Sequence, residues 1–396
     1  MAQAVEDSTG SGGPALAGVQ LAFTLGWTVY VLMLPGLLGA AGIALSWLPL
    51  ILMLDQVIFA AMDIAFGVMA DRMGEHYLRF ARLLLVLTSV SALAFLLLPT
   101  MAGTSPALLL AVLLVWVISA SVVRAPTLIL LGKRAKAAQR PGLVVWYSAG
   151  MGLAMALSPF LGLILKGADP QLPFVLSALA LLGAVLVLLR AIRTPVPAAE
   201  TPAPQPASFA ACLPLFVVLG VAGFGFQLHA QVNAAPLYLL QADKESLPWL
   251  LPLLWVGFFA MQMAVGPLMK RFAAMPVAVT GIFIVALSSY LAPQANSLNG
   301  LIALQLLSGA GWAMAFSGLM ETLSAAGTRG AEGLFMGSFF AVTAVSAFAR
   351  IAFVSYWLAD WKSSQFVLPA GLLLLAGALA TVNAKKWPKI KTPKSP

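Results

Sequence analysis

Runs of about twenty apolar residues, separated by short polar, glycine or proline turns, recur along the whole 396-residue chain. They fall at residues 17–37, 45–70, 80–99, 106–131, 143–165, 171–190, 209–240, 247–269, 274–292, 298–326, 333–357 and 364–384. With a rise of 1.5 Å per residue, about 20 helical residues cross a hydrocarbon core about 30 Å thick. The pattern predicts an all-α protein that spans a membrane twelve times.

Charged residues make up 9% of the chain and the mean hydropathy is +0.97, whereas soluble domains carry about 25% charged residues. The single cysteine, Cys212, excludes an intrachain disulfide framework and a paired-cysteine metal knuckle, and reads as apolar filler in helix 7. The opening stretch MAQAVEDSTGSGGPA has no basic segment ahead of its first apolar run. It is expected to be a disordered cytoplasmic tail and not a cleaved signal.

The net charge of +9 raises the question of nucleic-acid or acidic partners, which its distribution answers. One set of loops holds Arg72, Arg79, Arg82, Lys133, Arg134, Lys136, Arg140, Arg190, Arg193, Lys270, Arg271 and Arg329, with further lysines in the tail. The opposite set holds Lys166, Lys244 and Lys362. This positive-inside bias predicts an N-in, C-in protein of the inner (plasma) membrane, with anionic lipids as a minor partner of the tail and no nucleic acid.

The segment RTPVPAAETPAPQPAS, residues 193–208, is rich in Pro and Ala and too polar to insert, so it reads as an extended linker. The expected organisation is a tail at 1–16, a six-helix bundle at 17–192, a cytoplasmic linker at 193–208, a second bundle at 209–384 and a basic tail at 385–396. An internal repeat supports two halves: Gly67/Gly266, Pro35/Pro236 and Arg124/Glu321 are separated by 199, 201 and 197 residues.

The stretch Gly67-Val-Met-Ala-Asp71-Arg72-Met-Gly74 resembles the signature of the helix 2–3 loop in the major facilitator superfamily. It departs from that pattern at Glu75 and His76, where basic residues are usual. The resemblance implies two six-helix bundles related by a pseudo-two-fold axis, binding substrate near the midplane and rocking between states. Asp63, four residues before Gly67, resembles an aspartate of the glycoside-pentoside-hexuronide cation symporters, but Phe59 stands where their second aspartate would be. That favours a coupling proton over sodium. In helix 5, Ser158-Pro159 resembles a degraded form of the proline-glycine motif of drug antiporters.

An ionised side chain in the membrane core costs at least about 2.5–3.5 kcal/mol, so each one is a functional candidate. Asp63 and Arg124 lie roughly 12–13 Å from the same face by helical rise, and helices 2 and 4 are neighbours in the resembled fold. An Asp63–Arg124 pair is expected, either as a static bridge or as a protonation switch. Glu321 on helix 10 has no basic partner legible in the sequence and is a candidate proton carrier. Asp55 and Arg350, both toward the outer face, are expected to form an outer gate between helices 2 and 11. Asp71 is expected to latch the inner side against the N-terminus of helix 11, with Gly67, Arg72 and Gly74 shaping the turn.

Helix 7 contains FGFQLHAQVNAAPLY, in which spacing puts Gln227 and Gln231 on one side and His229 and Asn233 on another. Pro236 frees backbone carbonyls nearby. These residues read as cavity lining, with His229 as a titrating candidate or a packing residue. No Walker loop, dinucleotide fingerprint or metal-ligand cluster is present, so neither an enzyme nor a cofactor is expected. The sequence points to a secondary transporter of a small solute; the other reading is a transporter-fold receptor or assembly partner.

Overall fold

The computed structural model describes residues 2–73, 77–124, 127, 140–165, 167, 169–191, 206–327 and 330–383. Gly74, most of the linker and the basic tail lie outside the described residues. Among the described residues every regular element is helical. We number them α1 (Ala2–Ala40), α2 (Leu48–Arg72), α3 (Tyr77–Ala102), α4 (Pro106–Ala120), α5 (Arg140–Ile164) and α6 (Leu172–Ala191) in the first half. The second half has α7 (Phe209–Leu239), α8 (Lys244–Phe272), α9 (Ala274–Leu291), α10 (Leu298–Ala326), α11 (Glu332–Tyr356) and α12 (Leu368–Val382).

Eleven of these helices are long and apolar enough to cross a membrane, and α12 is a shorter apolar helix. Their outward faces carry exposed leucine, valine and methionine, for example Leu93 and Met263, as expected where lipid tails are the solvent. Helix starts follow from local chemistry. Ser105 before α4 and Ser297 before α10 each accept a hydrogen bond from the N–H three residues on, at 3.2 Å.

Two expected boundaries differ. Helix α1 begins at Ala2, inside the stretch expected as a disordered tail, and residues from Gly12 onward already count as spanning helix. The cause lies in packing: Gly13 sits so close to the Trp146 indole that any Cβ would overlap it, and Ala15 and Leu16 are buried. Helix 4, expected to run to 131, gives way after Ala120 to a 3-10 turn, Ser121–Val123; of the remainder only Arg124 and Thr127 are described, and 125, 126 and 128–131 lie outside the described residues. Pro126 has no N–H to continue the ladder and disfavours helix in the residue before it.

The halves meet along two seams, α2 with α11 and α5 with α8. Toward one end, Gly67 and Gly333 approach so closely that a Cβ on either would overlap the other's carbonyl. Toward the other, Met53 packs with Ile351 and Ala352. Along the second seam Gly152 receives the Phe258 ring, and Phe160 meets Trp249 at 5.0 Å. The first seam is therefore in contact near both ends of its helices, and the second at mid-helix and toward the Trp249 end.

Candidate functional site

The site grows out of the break in α4. Where the helix ends, freed carbonyls need donors, and Gln20 of α1 supplies one to Val123 at 3.1 Å. Thr127 Oγ1 donates to the same carbonyl at 2.7 Å. Sequence reasoning missed Gln20; a buried glutamine in an apolar helix was the available signal. The break leaves Arg124 at the end of the turn, its side chain directed to α2 and α11.

There Arg124 Nη1 lies 3.3 Å from Asp63 Oδ2, the one salt bridge among the described residues. Asp63 is fully buried and its oxygens make no hydrogen bond besides this pair. The guanidinium also donates, at 3.4 Å, to the Phe340 carbonyl and to Thr343 Oγ1 of α11. Two rings flank it, Phe59 from the first half at 4.9 Å and Phe340 from the second at 5.5 Å. Tyr147 of α5 packs on Phe340 at 5.3 Å and interacts electrostatically with both Arg124 and Asp63. The expected pair forms within the first half, and Arg124 extends it across the seam to α11.

Two turns along α2, Asp71 accepts hydrogen bonds from the N–H groups of Gly333 at 2.8 Å and Leu334 at 2.9 Å. These are free donors of the first turn of α11, where a carboxylate also meets the positive end of the helix dipole. Arg72 is exposed.

The Asp55–Arg350 gate is corrected. Asp55 is fully buried and accepts a 2.7 Å hydrogen bond from the Tyr30 hydroxyl of its own bundle. Arg350 Nε donates to Gln227 Oε1 of α7 at 3.0 Å. Each group finds a nearer partner in its own half, and no carboxylate lies within ion-pair distance of Arg350 among the described residues. The expectation for Glu321 also changes. The Arg140 charge, at the start of α5 in the other half, acts on Glu321, although the two form no direct salt bridge. Ser317, one turn from Glu321, touches Ser148 of α5 at 3.2 Å and Gln262 of α8 at 3.2 Å.

The polar residues of α7 do not share one surface. A π turn, Leu228–Asn233, interrupts the helix and breaks the four-residue spacing on which that grouping rested. His229 turns into the second bundle and meets Gln305 at 3.1 Å, Asn233 donates to the Gln365 carbonyl at 2.8 Å, and Gln231 is exposed.

The sequence profile of the Major Facilitator Superfamily matches residues 16–349. No curated protein matches the chain. Among solved structures, the human organic anion transporter MFSD10 superposes with a TM-score of 0.75 at 17% identity, covering 93% of this chain and 98% of that one. A bacterial homologue of the iron transporter ferroportin, in its outward-facing state, gives 0.73 at 13% identity, covering 94% and 99%. The transporter FucP, in its outward conformation, gives 0.68 at 16% identity, covering 95% and 99%. At these identities the likeness shows the fold, and the profile match over most of the chain shows the family. The chain belongs to the major facilitator superfamily, whose members are membrane transporters and not enzymes.

Proposed function

We propose that this protein is a secondary active transporter that moves a small solute across the inner membrane by alternating access, coupled to protons. One observation carries the reading: Arg124 is bonded to an acid of one half and to a carbonyl and hydroxyl of the other. A proton on Asp63 would remove the anion that orients the guanidinium and so alter a contact between the halves. The fold neighbour from E. coli described as a fucose:proton symporter supports a proton as the coupling ion, and Phe59 beside the pair leaves only one carboxylate for sodium.

Around this centre, Asp71 serves as the latch on the inner side, holding the first turn of α11. Glu321 serves as a second proton-responsive acid, with Arg140 as its counter-charge from the opposite half. The apolar contact of Met53 with Ile351 and Ala352 closes the outer side in place of the expected ion pair. The positive-inside bias supports cytoplasmic termini.

The test is accumulation in proteoliposomes under an imposed proton gradient, screened over sugars, carboxylates, amino acids and drugs. The expected result is gradient-driven uptake by the wild type that Asp63→Asn abolishes while retaining downhill exchange. Gradient-driven uptake that survives Asp63→Asn overturns the coupling role.

A further inference from the structure

We infer that the solute is a small organic anion whose carboxylate replaces that of Asp63 on Arg124, its apolar body lying against Phe59, Phe340 and Tyr147. The inference rests on the proposed proton coupling and names the substrate class of that same site.

The two members of the ion pair are not equivalent. Arginine keeps its proton in any protein environment, whereas a carboxylate is neutralised by one proton. A cationic solute drawn to Asp63 would push Arg124 aside and leave a permanent charge among aromatic rings without a counter-ion, the costliest outcome for a buried pair. The reverse exchange leaves no orphan. One proton from solution goes onto Asp63, the incoming carboxylate takes the guanidinium, and the site holds the same net charge before and after. Guanidinium also suits the partner, since its planar fork binds carboxylate through two parallel hydrogen bonds.

The surroundings agree. Asp63 contributes no hydrogen bonds beyond the ion pair, so nothing else ties its carboxylate to its place. Groups facing the pair from the packed elements are Tyr147 on α5, Phe340 and Thr343 on α11 and Phe59 on α2. Among the described residues none of these is a second acid. Farther along α11, seven residues from Thr343, stands Arg350, a cation with an amide partner and no carboxylate. Seven residues of helix span roughly 10 Å, and Arg350 turns to Gln227 of its own half, so Arg124 is the guanidinium that faces the exchangeable carboxylate. The rings that hold Arg124 offer the solute apolar and π contact on either side of its charged end.

The experiment uses the full-length protein in detergent and three probes that share one ring: benzoate, benzyl alcohol and benzylammonium. Removing the native anion in Asp63→Ala should lower the thermal midpoint, and millimolar benzoate should recover most of that loss in a dose-dependent manner. Benzyl alcohol and benzylammonium should not, and Asp63→Ala/Arg124→Gln should lose the response to benzoate. Should Asp63→Ala not be recoverable from membranes, the wild type carries the same test: benzoate should stabilise it more at pH 5 than at pH 8, and Arg124→Gln should abolish the difference. Stabilisation by benzylammonium in preference to benzoate, a benzoate effect that persists without Arg124, or no benzoate effect overturns the assignment. If benzoate fails while gradient-driven uptake of some other solute still depends on Asp63, the substrate class falls and proton coupling stands. If uptake is also independent of Asp63, both fall.

Discussion

Replacing Asp63 by Asn removes one charge and almost no volume, which makes it a clean probe of the pair at the seam. At the observed 3.3 Å separation, and with an effective dielectric constant of about 20, the Coulomb attraction is about 5 kcal/mol. Not all of that is lost on substitution. Arg124 is slightly exposed, and it keeps its contacts to Phe340 and Thr343 and its two aromatic neighbours. Breaking a buried pair by removing one partner costs about 3–5 kcal/mol; with these retained contacts, about 2–4 kcal/mol is expected for Asp63→Asn. The assay is a double-mutant cycle of Asp63→Asn and Arg124→Gln by reversible unfolding in mixed micelles. A coupling energy of about 2 kcal/mol is expected, and one below about 0.5 kcal/mol refutes a direct interaction.

Other consequences follow from the packing. Gly333→Val should force α2 and α11 apart at the Asp71 end, lowering stability by about 1–3 kcal/mol through overpacking; thermal unfolding reads this, and an unchanged midpoint would contradict the close approach. Asp71→Asn should weaken the cap on α11 by about 1 kcal/mol and speed cysteine labelling near Leu334, where equal labelling rates would argue against a latch. Tyr30→Phe should leave Asp55 without its hydrogen-bond donor and destabilise by about 1–3 kcal/mol, measured by the same unfolding. Ala273, the non-glycine residue with positive φ among those described, aligns with Gly74 through the 199-residue repeat. Ala273→Gly should stabilise the protein by about 1 kcal/mol, and destabilisation would show that the turn does not need the left-handed conformation.

The fold was legible because lipid imposes its rules directly on sequence. Twelve apolar runs, the charge asymmetry and the Gly67–Asp71–Arg72 motif each reflect a local requirement that one segment must meet alone. The Asp63–Arg124 pair was legible for the same reason, since helical rise puts both at one depth. What the sequence left unread depends on which way a side chain turns. Asp55 and Arg350 share a depth but point into their own bundles, to Tyr30 and Gln227. The four-residue spacing on α7 failed because a π turn resets the phase, and the Arg140 charge that acts on Glu321 comes from the other half. That Arg124 reaches Phe340 and Thr343 depends on the broken end of α4, which Pro126 hints at but does not orient.

The central claim, that protonation of the seam pair drives reciprocal opening of the two halves, can be measured without knowing the solute. In a Cys212→Ala background, spin labels at the exposed positions Arg72 and Phe272 report on the Asp71 end, and labels at Trp47 and Tyr356 report on the other. Distances between each pair would be recorded at pH 5 and pH 8, in the wild type and in Asp63→Asn. The account predicts opposite changes at the two ends on acidification of the wild type, and distances that no longer respond to pH in Asp63→Asn. Distances that ignore pH in the wild type, or that shift equally in the variant, would contradict it.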